Sequence, residues 1–167
     1  FTGSSQTDAV KITGGSPTMK NCSVTSTAAA AAPAWSACIA IDGGSPVITG
    51  NTCSRSKGMG ILARGGNPQI SGNTCTDCAI YGAWFTDGAG GSFENNTVTG
   101  NGKSGIGIKS GAAPRIRSNT ISSNKENGIF VYQGGGGTIQ NNTASENGWS
   151  GVQVGMAGKA DLIAGNR

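Results

Sequence analysis

The sequence predicts an all-β fold in which successive turns of the chain stack as a parallel β-helix. One short phrase returns about every 22 to 24 residues along the 167-residue chain, which is the period of a solenoid repeat. Apolar residues within each repeat alternate with a period of two, as in strands, and no segment has a helical period. We therefore expect a single domain, residues 1–167, with about seven rungs that begin near residue 8.

From the second copy onward, each copy of the phrase carries an apolar residue and, three residues later, an asparagine. A short amide at a tight bend can satisfy the backbone of the turn and stack on the amides of neighbouring rungs. One repeat is too small to bury a core alone, so its stability must come from the repeats on either side. The anchoring asparagines are Asn51, Asn73, Asn96, Asn119, Asn142 and Asn166.

Three apolar columns are predicted to face the interior of the coil. The outer members of a first strand form one of them, as in Ile39-Ala40-Ile41, and rungs would follow one another at about 4.8 Å. A second column is Met19, Ile48, Ile70, Phe93, Ile116, Ile139 and Ile163. A third column is Val24, Cys53, Cys75, Val98, Ile121 and Ala144.

Composition and charge restrict the class of partner. The chain carries 12 Lys and Arg against 8 Asp and Glu, has no His, and has a net charge of +4. The cations are not clustered, so we expect no nucleic-acid partner. No stretch approaches the roughly 18 apolar residues of a membrane span.

An Ala- and Pro-rich insertion, residues 26–37, interrupts the first turn, and little sequence lies outside the repeats at either end. A β-helix exposes strand edges at both ends unless a cap or partner covers them. We therefore expect either a piece of a longer chain or a subunit of a multi-subunit complex.

Residues 111–121 (GAAPRIRSNTI), 127–131 (NGIFV) and 136–142 (GGTIQNN) resemble the right-handed β-helix repeats of the carbohydrate-binding and sugar-hydrolase type. That family includes the substrate-binding repeats of an F-box-only ubiquitin ligase subunit, NosD-like periplasmic proteins, alginate epimerases and relatives of pectinases. The resemblance covers residues 8–166 and implies a right-handed coil. It implies no single function, because such rungs serve enzymes and binding modules alike.

The residues argue against catalysis. The absence of His removes the commonest general base and the Asp-Pro-His-Glu signature that a resemblance to the epimerases would require. The best carboxylate pair is Asp42 and Asp87, about 9 to 10 Å apart across two rungs, which is near the spacing of inverting glycosidases. Arg64 falls between them and favours a neutralised column of surface charge. We expect no enzyme and no cofactor, and keep the two aspartates as weak catalytic candidates.

Cys53 and Cys75 replace aliphatic residues of the third inward column, so we expect them to be small buried groups. Stacked one rung apart, their Cα atoms would lie about 4.8 Å from each other, which permits a disulfide without requiring one. Cys22, Cys38 and Cys78 lie near corners, and without His or a second Cys-x-x-Cys pair we expect no metal site. Because the number of cysteines is odd, at least one thiol in a monomer cannot take part in an intramolecular disulfide. The cysteines do not identify the cellular compartment of the protein. An extracellular, periplasmic or lumenal location is slightly favoured over the cytosol.

An apolar strip is predicted on the outward face of the first strands. Its anchors are Leu62, Trp84, Phe130 and Tyr132, with Arg64 and Lys109 beside them, a mixture typical of contact surfaces. The alternative is that the insertion, which contains Trp35, folds over the strip and covers part of it.

A second outward surface carries a pair of hydroxyl residues just after the Asn position in six successive repeats. This hydroxyl face resembles the Thr-x-Thr array of insect antifreeze proteins, although hydroxyl ladders also stabilise neighbouring strands without any ligand. The pairs are Ser23 and Thr25, Thr52 and Ser54, Thr74 and Thr76, Thr97 and Thr99, Thr120 and Ser122, and Thr143 and Ser145.

The sequence therefore favours a non-enzymatic interaction module or structural subunit that binds a partner protein through the strip. Polysaccharide binding or processing on the same sheet is the first alternative, because aromatic rings stack on sugars. Ice adsorption through the hydroxyl face is the second.

Overall fold

The computed structural model describes residues 2–3, 8–26 and 35–167. Most of the insertion expected at residues 26–37 falls on residues 27–34, which lie outside that description. The described chain is all β, and within it no helix is long and apolar enough to cross a membrane.

The described ranges form 21 short strands, because a corner follows almost every run of three extended residues. In chain order they are β1 (Thr2–Gly3), β2 (Val10–Ile12), β3 (Thr18–Lys20), β4 (Ser23–Ser26), β5 (Ala37–Asp42), β6 (Val47–Thr49), β7 (Thr52–Ser54), β8 (Met59–Arg64), β9 (Gln69–Ser71), β10 (Thr74–Thr76), β11 (Ala83–Thr86), β12 (Ser92–Glu94), β13 (Thr97–Thr99), β14 (Ile106–Ile108), β15 (Arg115–Arg117), β16 (Thr120–Ser122), β17 (Ile129–Val131), β18 (Gly136–Gln140), β19 (Thr143–Ser145), β20 (Val152–Val154) and β21 (Lys159–Ala164).

The strands stack into three parallel sheets of seven strands each. Sheet A is β1-β4-β7-β10-β13-β16-β19, sheet B is β2-β5-β8-β11-β14-β17-β20, and sheet C is β3-β6-β9-β12-β15-β18-β21. Each strand pairs with its equivalent one turn away, as Ile61 with Ala83 and Ala83 with Ile106 in sheet B. The predicted parallel β-helix, with equivalent residues stacked on one another, is confirmed.

The interior is a continuous apolar core along the coil axis. On the middle rungs the residues of the second and third predicted columns, such as Ile70, Phe93 and Val98, are fully buried, whereas Ile163 on the last rung is 47% exposed. Phe85 of sheet B meets Phe93 of sheet C edge to face, with ring centroids 5.9 Å apart. Burial of this core stabilises the coil, because no single turn could remove its own apolar side chains from water.

The predicted asparagine ladder lies at the corner between sheets C and A. Asn96 Oδ1 accepts hydrogen bonds from the backbone N–H and the Nδ2 of Asn73, at 2.8 and 3.0 Å, and the same pattern links Asn96 to Asn119. The residue before each ladder position has a left-handed backbone, for example Gly72 and Asn95. Gly and Asn adopt that conformation most readily, which explains their recurrence at this corner.

A second asparagine ladder, which the sequence reasoning missed, lies at the corner between sheets A and B. Asn101, Asn124 and Asn147 repeat the same amide contacts at intervals of 23 residues. Cys22 and Cys78 occupy the first position of the two ladders, where each backbone N–H donates to the next asparagine and each thiol donates to the carbonyl two residues earlier. The spacing of 101, 124 and 147 was a sufficient signal for this ladder.

Candidate functional site

The outward face of sheet B carries a second apolar cluster, separate from the coil interior. It contains Ala37, Ala40, Met59, Leu62, Tyr81 and Trp84. Leu62 is fully buried and Trp84 is only 5% exposed. The prediction that both are exposed on an open strip is therefore wrong, because neighbouring side chains on the same face cover them.

Trp84 is the centre of this cluster. Trp35 stacks on it with ring centroids 5.2 Å apart and planes inclined by 17°, and Tyr81 packs beside it at 5.6 Å. Lys109 Nζ lies 4.9 Å from the centroid of the indole, which is within cation–π range. Trp35 thus covers Trp84, as the alternative interpretation of the insertion expected. Trp35 itself is 58% exposed, so it presents an open aromatic face to solvent.

The Trp84 indole N–H is buried and finds no acceptor within the described ranges. An uncompensated buried donor lowers stability.

Tyr81 reaches across two rungs to Tyr132. Their hydroxyl oxygens lie 3.4 Å apart, and the residue on the intervening rung of sheet B is Gly107. Burial raises the pKa of Tyr81 well above its ordinary value, and the hydrogen bond with Tyr132 raises it further. Both properties keep the Tyr81 hydroxyl protonated and in place.

Tyr132 is held from its other side by Phe130. The two rings stack with centroids 4.4 Å apart and planes inclined by 8°. Both residues are half-buried. This stack fixes the orientation of the Tyr132 ring, since an offset parallel arrangement is one of the favoured geometries of aromatic pairs.

An open cleft of about 280 Å³, here called the aromatic cleft, lies among these rings and is lined by Trp35, Ile80, Tyr81, Trp84, Lys103, Lys109 and Tyr132. Three predicted strip residues, Trp84, Lys109 and Tyr132, contribute to it. Leu62, Phe130 and Arg64 are not among the residues that line it.

Ile80, Tyr81 and Lys103 were missed as site residues because they precede the strands of sheet B and lie at the corner. Lys103 N–H donates to the Ile80 carbonyl, so the two residues stack on consecutive rungs. Their separation of 23 residues, equal to the repeat, was the signal that places them side by side.

The aspartates proposed as weak catalytic candidates do not form a matched pair. Asp42 accepts from Arg64 Nη1 at 2.7 Å and lies 3.0 Å from Lys11 Nζ. Partial burial acts to raise the pKa of Asp42, but the hydrogen bonds and charges of Arg64 and Lys11 outweigh it and hold that pKa below its usual value. Thr86, rather than Asp87, is in register with Arg64, and Asp87 lies one residue further along, exposed in a turn.

The hydroxyl face lies on sheet A, with its pairs in register. Thr52, Thr74, Thr97, Thr120 and Thr143 are successive partners. They alternate with buried residues such as Val98 and are themselves exposed or half-buried. Thr99 and Ser122 share a hydrogen bond of 3.3 Å across the rungs, so at least part of this array stabilises the sheet directly. Thr76, another predicted member, is half-buried two residues after Thr74.

Comparison with known proteins supports the fold. The family model described as "Right handed beta helix region" matches residues 8–166. No curated protein and no solved structure gives a significant match.

Proposed function

Because the chain belongs to the right-handed β-helix family, a fold that serves catalysts and binding modules alike, we propose that it is a non-catalytic carbohydrate-binding module. Its ligand is a short stretch of glycan held in the aromatic cleft. The observation that carries the proposal is the set of four aromatic side chains, Trp35, Tyr81, Trp84 and Tyr132, around one cleft of about 280 Å³.

The shape of the cleft favours a sugar over a flat protein surface. Burial of Leu62 and Trp84 leaves a small concave opening, whereas a stable protein interface covers on the order of 800 Å² on each partner. The cleft volume lies near the lower end of the range for small-ligand sites, roughly 300 Å³ upward. The exposed face of Trp35 offers a flat apolar surface on which the C–H groups of a pyranose ring can pack.

Polar groups around the rings suit hydroxyl-rich ligands. The hydroxyls of Tyr81 and Tyr132 can donate or accept, and the ammonium groups of Lys103 and Lys109 donate. Glycoside hydrolysis ordinarily needs two carboxyl groups on either side of the scissile bond. The described residues that line the cleft include no Asp or Glu, which supports binding without cleavage.

The experiment is a glycan array probed with three proteins: the wild type, Trp35→Ala and Trp149→Ala. Both tryptophans are exposed, at 58% and 65%, but only Trp35 lines the aromatic cleft. Loss of a stacked indole should weaken binding by on the order of tenfold or more, about 1.4 kcal/mol, in Trp35→Ala alone. The Trp149→Ala variant controls for removal of an exposed indole elsewhere.

Two outcomes would reject the proposal. One is that no glycan binds the wild-type protein at millimolar concentration. The other is that Trp149→Ala and Trp35→Ala lose binding equally. A partner protein would then be the better candidate for this face, and its capture should depend on Phe130 and Tyr132, the half-buried strip residues.

Ice adsorption is a second candidate, favoured by the unbroken register of the hydroxyl face over six rungs. If the protein adsorbs to ice, the wild type should show thermal hysteresis. The Thr97→Tyr variant should lose that hysteresis, because a bulky ring would interrupt the flat array of hydroxyl residues. The matched control is Gln69→Tyr, an exposed position on sheet C. Absence of thermal hysteresis in the wild type would reject ice adsorption, and the hydroxyl pairs would then serve only to stabilise the sheet.

A further inference from the structure

Four of the five cysteines converge inside the coil. Cys38, Cys53 and Cys75 have no exposed surface, and Cys78 is 1% exposed. They come from strand β5 of sheet B, from strands β7 and β10 of sheet A, and from the corner that follows β10. The fold itself does not require this clustering, since the equivalent positions on neighbouring rungs are Val24 and Val98 for Cys53 and Cys75, Gly60 for Cys38 and Asn101 for Cys78.

The thiols form two pairs, each between neighbouring rungs. Cys53 and Cys75 are direct Cα partners on adjacent parallel strands. Cys38 Sγ lies 3.5 Å from the carbonyl oxygen of Ser54, the neighbour of Cys53. Cys78 Sγ lies 3.5 Å from the carbonyl oxygen of Thr76, the neighbour of Cys75. Because Ser54 and Thr76 are also Cα partners, the sulfurs of Cys38 and Cys78 lie against equivalent carbonyls one rung apart.

Four cysteines allow three ways of forming two disulfides. Only one of them joins both of the pairs that stack between neighbouring rungs. We propose that this cluster is a modification site that forms two disulfides, Cys38–Cys78 and Cys53–Cys75, when the chain folds in the presence of a small disulfide oxidant. For Cys53 and Cys75, the separation of Cα atoms on neighbouring parallel strands, about 4.8 Å, lies within the range that disulfides span.

Each bond forms by two exchange steps with oxidised glutathione. One cysteine loses its proton to solvent, and its thiolate attacks a glutathione sulfur and expels a glutathione thiolate, which leaves a mixed disulfide. The second cysteine, also deprotonated, attacks the protein sulfur of that mixed disulfide and expels the second glutathione thiolate. Two protein thiols are thereby oxidised, one glutathione disulfide is reduced to two thiols, and the two released protons are taken up by the glutathione thiolates.

Oxidation is expected during folding rather than afterwards. Thiol hydrogen bonds and burial raise the pKa of Cys53 and of Cys78 well above the ordinary value, and only a thiolate attacks a disulfide. A metal ion is a poorer explanation, because no group of three or more potential ligands within the described ranges is arranged to hold one.

The test uses the Cys22→Ser variant, so that only the four clustered cysteines remain. The protein is unfolded, refolded in a glutathione redox buffer, and compared by intact mass with a sample refolded in a phosphine reductant. We expect the oxidised sample to be lighter by four hydrogens. Its urea midpoint should fall when reductant is added, since each bridge restricts the unfolded chain.

Digestion after Lys and Arg and before Asp separates all four cysteines into different peptides. These are residues 21–41, 42–55, 65–76 and 77–86, which contain Cys38, Cys53, Cys75 and Cys78 respectively. The proposal predicts that peptide 21–41 is joined to 77–86 and that peptide 42–55 is joined to 65–76. Either of the other two pairings as the major product would overturn it, as would retention of all four thiols after refolding in oxidised glutathione.

Two double variants test each bridge separately in a protein that is shown to be folded. Cys53→Val with Cys75→Val places in the column the residue already present at Val24 and Val98, and it should retain the bridge between Cys38 and Cys78. Cys38→Ala with Cys78→Ala should retain the bridge between Cys53 and Cys75. A circular dichroism spectrum equal to that of the parent checks that each variant folds, and a scrambled bridge in a folded variant contradicts the proposal.

Discussion

The hydroxyl oxygens of Tyr81 and Tyr132 lie 3.4 Å apart although the residues are 51 positions apart in the sequence. The contact spans two rungs because Gly107 lies between them. A Cβ at Gly107 would lie 3.0 Å from Trp84 Cδ1 and 3.2 Å from Tyr81 Cε1, closer than ordinary van der Waals contact. The aromatic cleft therefore depends on the absence of a side chain at one position.

Gly107→Ala should displace Tyr81 and Trp84 and weaken glycan binding by about tenfold, equivalent to 1.4 kcal/mol. Stability should change by less, since Gly107 does not need a left-handed backbone and a few tenths of an ångström of adjustment suffices. Isothermal titration and thermal melts measure the two effects. Gly155→Ala is the matched control, because its Cβ would meet only Gln153 Nε2 at 3.9 Å. Unchanged affinity in Gly107→Ala would contradict this account of the cleft.

Asn96→Ala should be among the most destabilising exchanges of a polar residue. It removes the acceptor of the Asn73 backbone N–H and the donor to the Ile70 carbonyl, both buried. Unsatisfied buried polar groups cost about 1–3 kcal/mol each, so we expect a loss of about 2 to 4 kcal/mol in the free energy of unfolding measured in urea.

Asn67→Ala serves as the control for Asn96→Ala, because Asn67 is exposed and belongs to neither ladder. A surface exchange of this kind changes stability by about 0.5 kcal/mol at most. Equal losses in the two variants would argue against the ladder as a source of stability.

The fold was predictable from the sequence because the repeat length determines which residues pair on neighbouring rungs. Asn51 and Asn73, for example, are one repeat apart and therefore stack. The candidate site was less accessible to such reasoning. Trp84 points outward as the alternation predicts, but its burial depends on Trp35, which belongs to the insertion rather than to the repeats, and on Tyr81, which precedes the strand. The alternation of apolar residues predicts whether a side chain points inward or outward. It does not predict whether another segment of the chain covers that side chain.

Stability should fall at alkaline pH under reducing conditions. Hydrogen bonds with Cys38, together with burial, raise the pKa of both Cys53 and Cys78 above the ordinary thiol value of about 8.5. The folded chain then keeps protons that the unfolded chain releases, so the contribution of these two thiols to the free energy of unfolding is constant below about pH 8.5 and decreases above it. Each thiol contributes a slope of up to about 1.4 kcal/mol per pH unit.

Urea midpoints between pH 7 and pH 10 measure this dependence on pH. Cys53→Val should reduce the slope above about pH 8.5 while leaving stability at pH 7 within about 1.5 kcal/mol of the parent. A wild-type protein whose stability rises over that interval would refute the assignment.

Thiol reactivity should separate Cys22 from the other cysteines. Cys22 is half-buried at the first corner, whereas Cys38, Cys53, Cys75 and Cys78 are buried. In the reduced native protein at neutral pH, an aromatic disulfide reagent should modify one thiol rapidly and four only after denaturation. The fast phase should vanish in Cys22→Ser, and a fast phase of two or more thiols would be inconsistent with the packing around Cys53.

The central claim is that the aromatic cleft binds a glycan, and the three tryptophans provide internal probes for it. Trp35 lines the mouth of the cleft, Trp84 forms its floor, and Trp149 lies outside it. The most direct measurement is a titration of the ¹⁵N-labelled protein with the oligosaccharide selected on the array, followed by the three indole N–H signals. We predict saturable shifts of the Trp35 and Trp84 signals and no shift of Trp149. Shifts confined to Trp149, or none at saturating oligosaccharide, would contradict the proposed function.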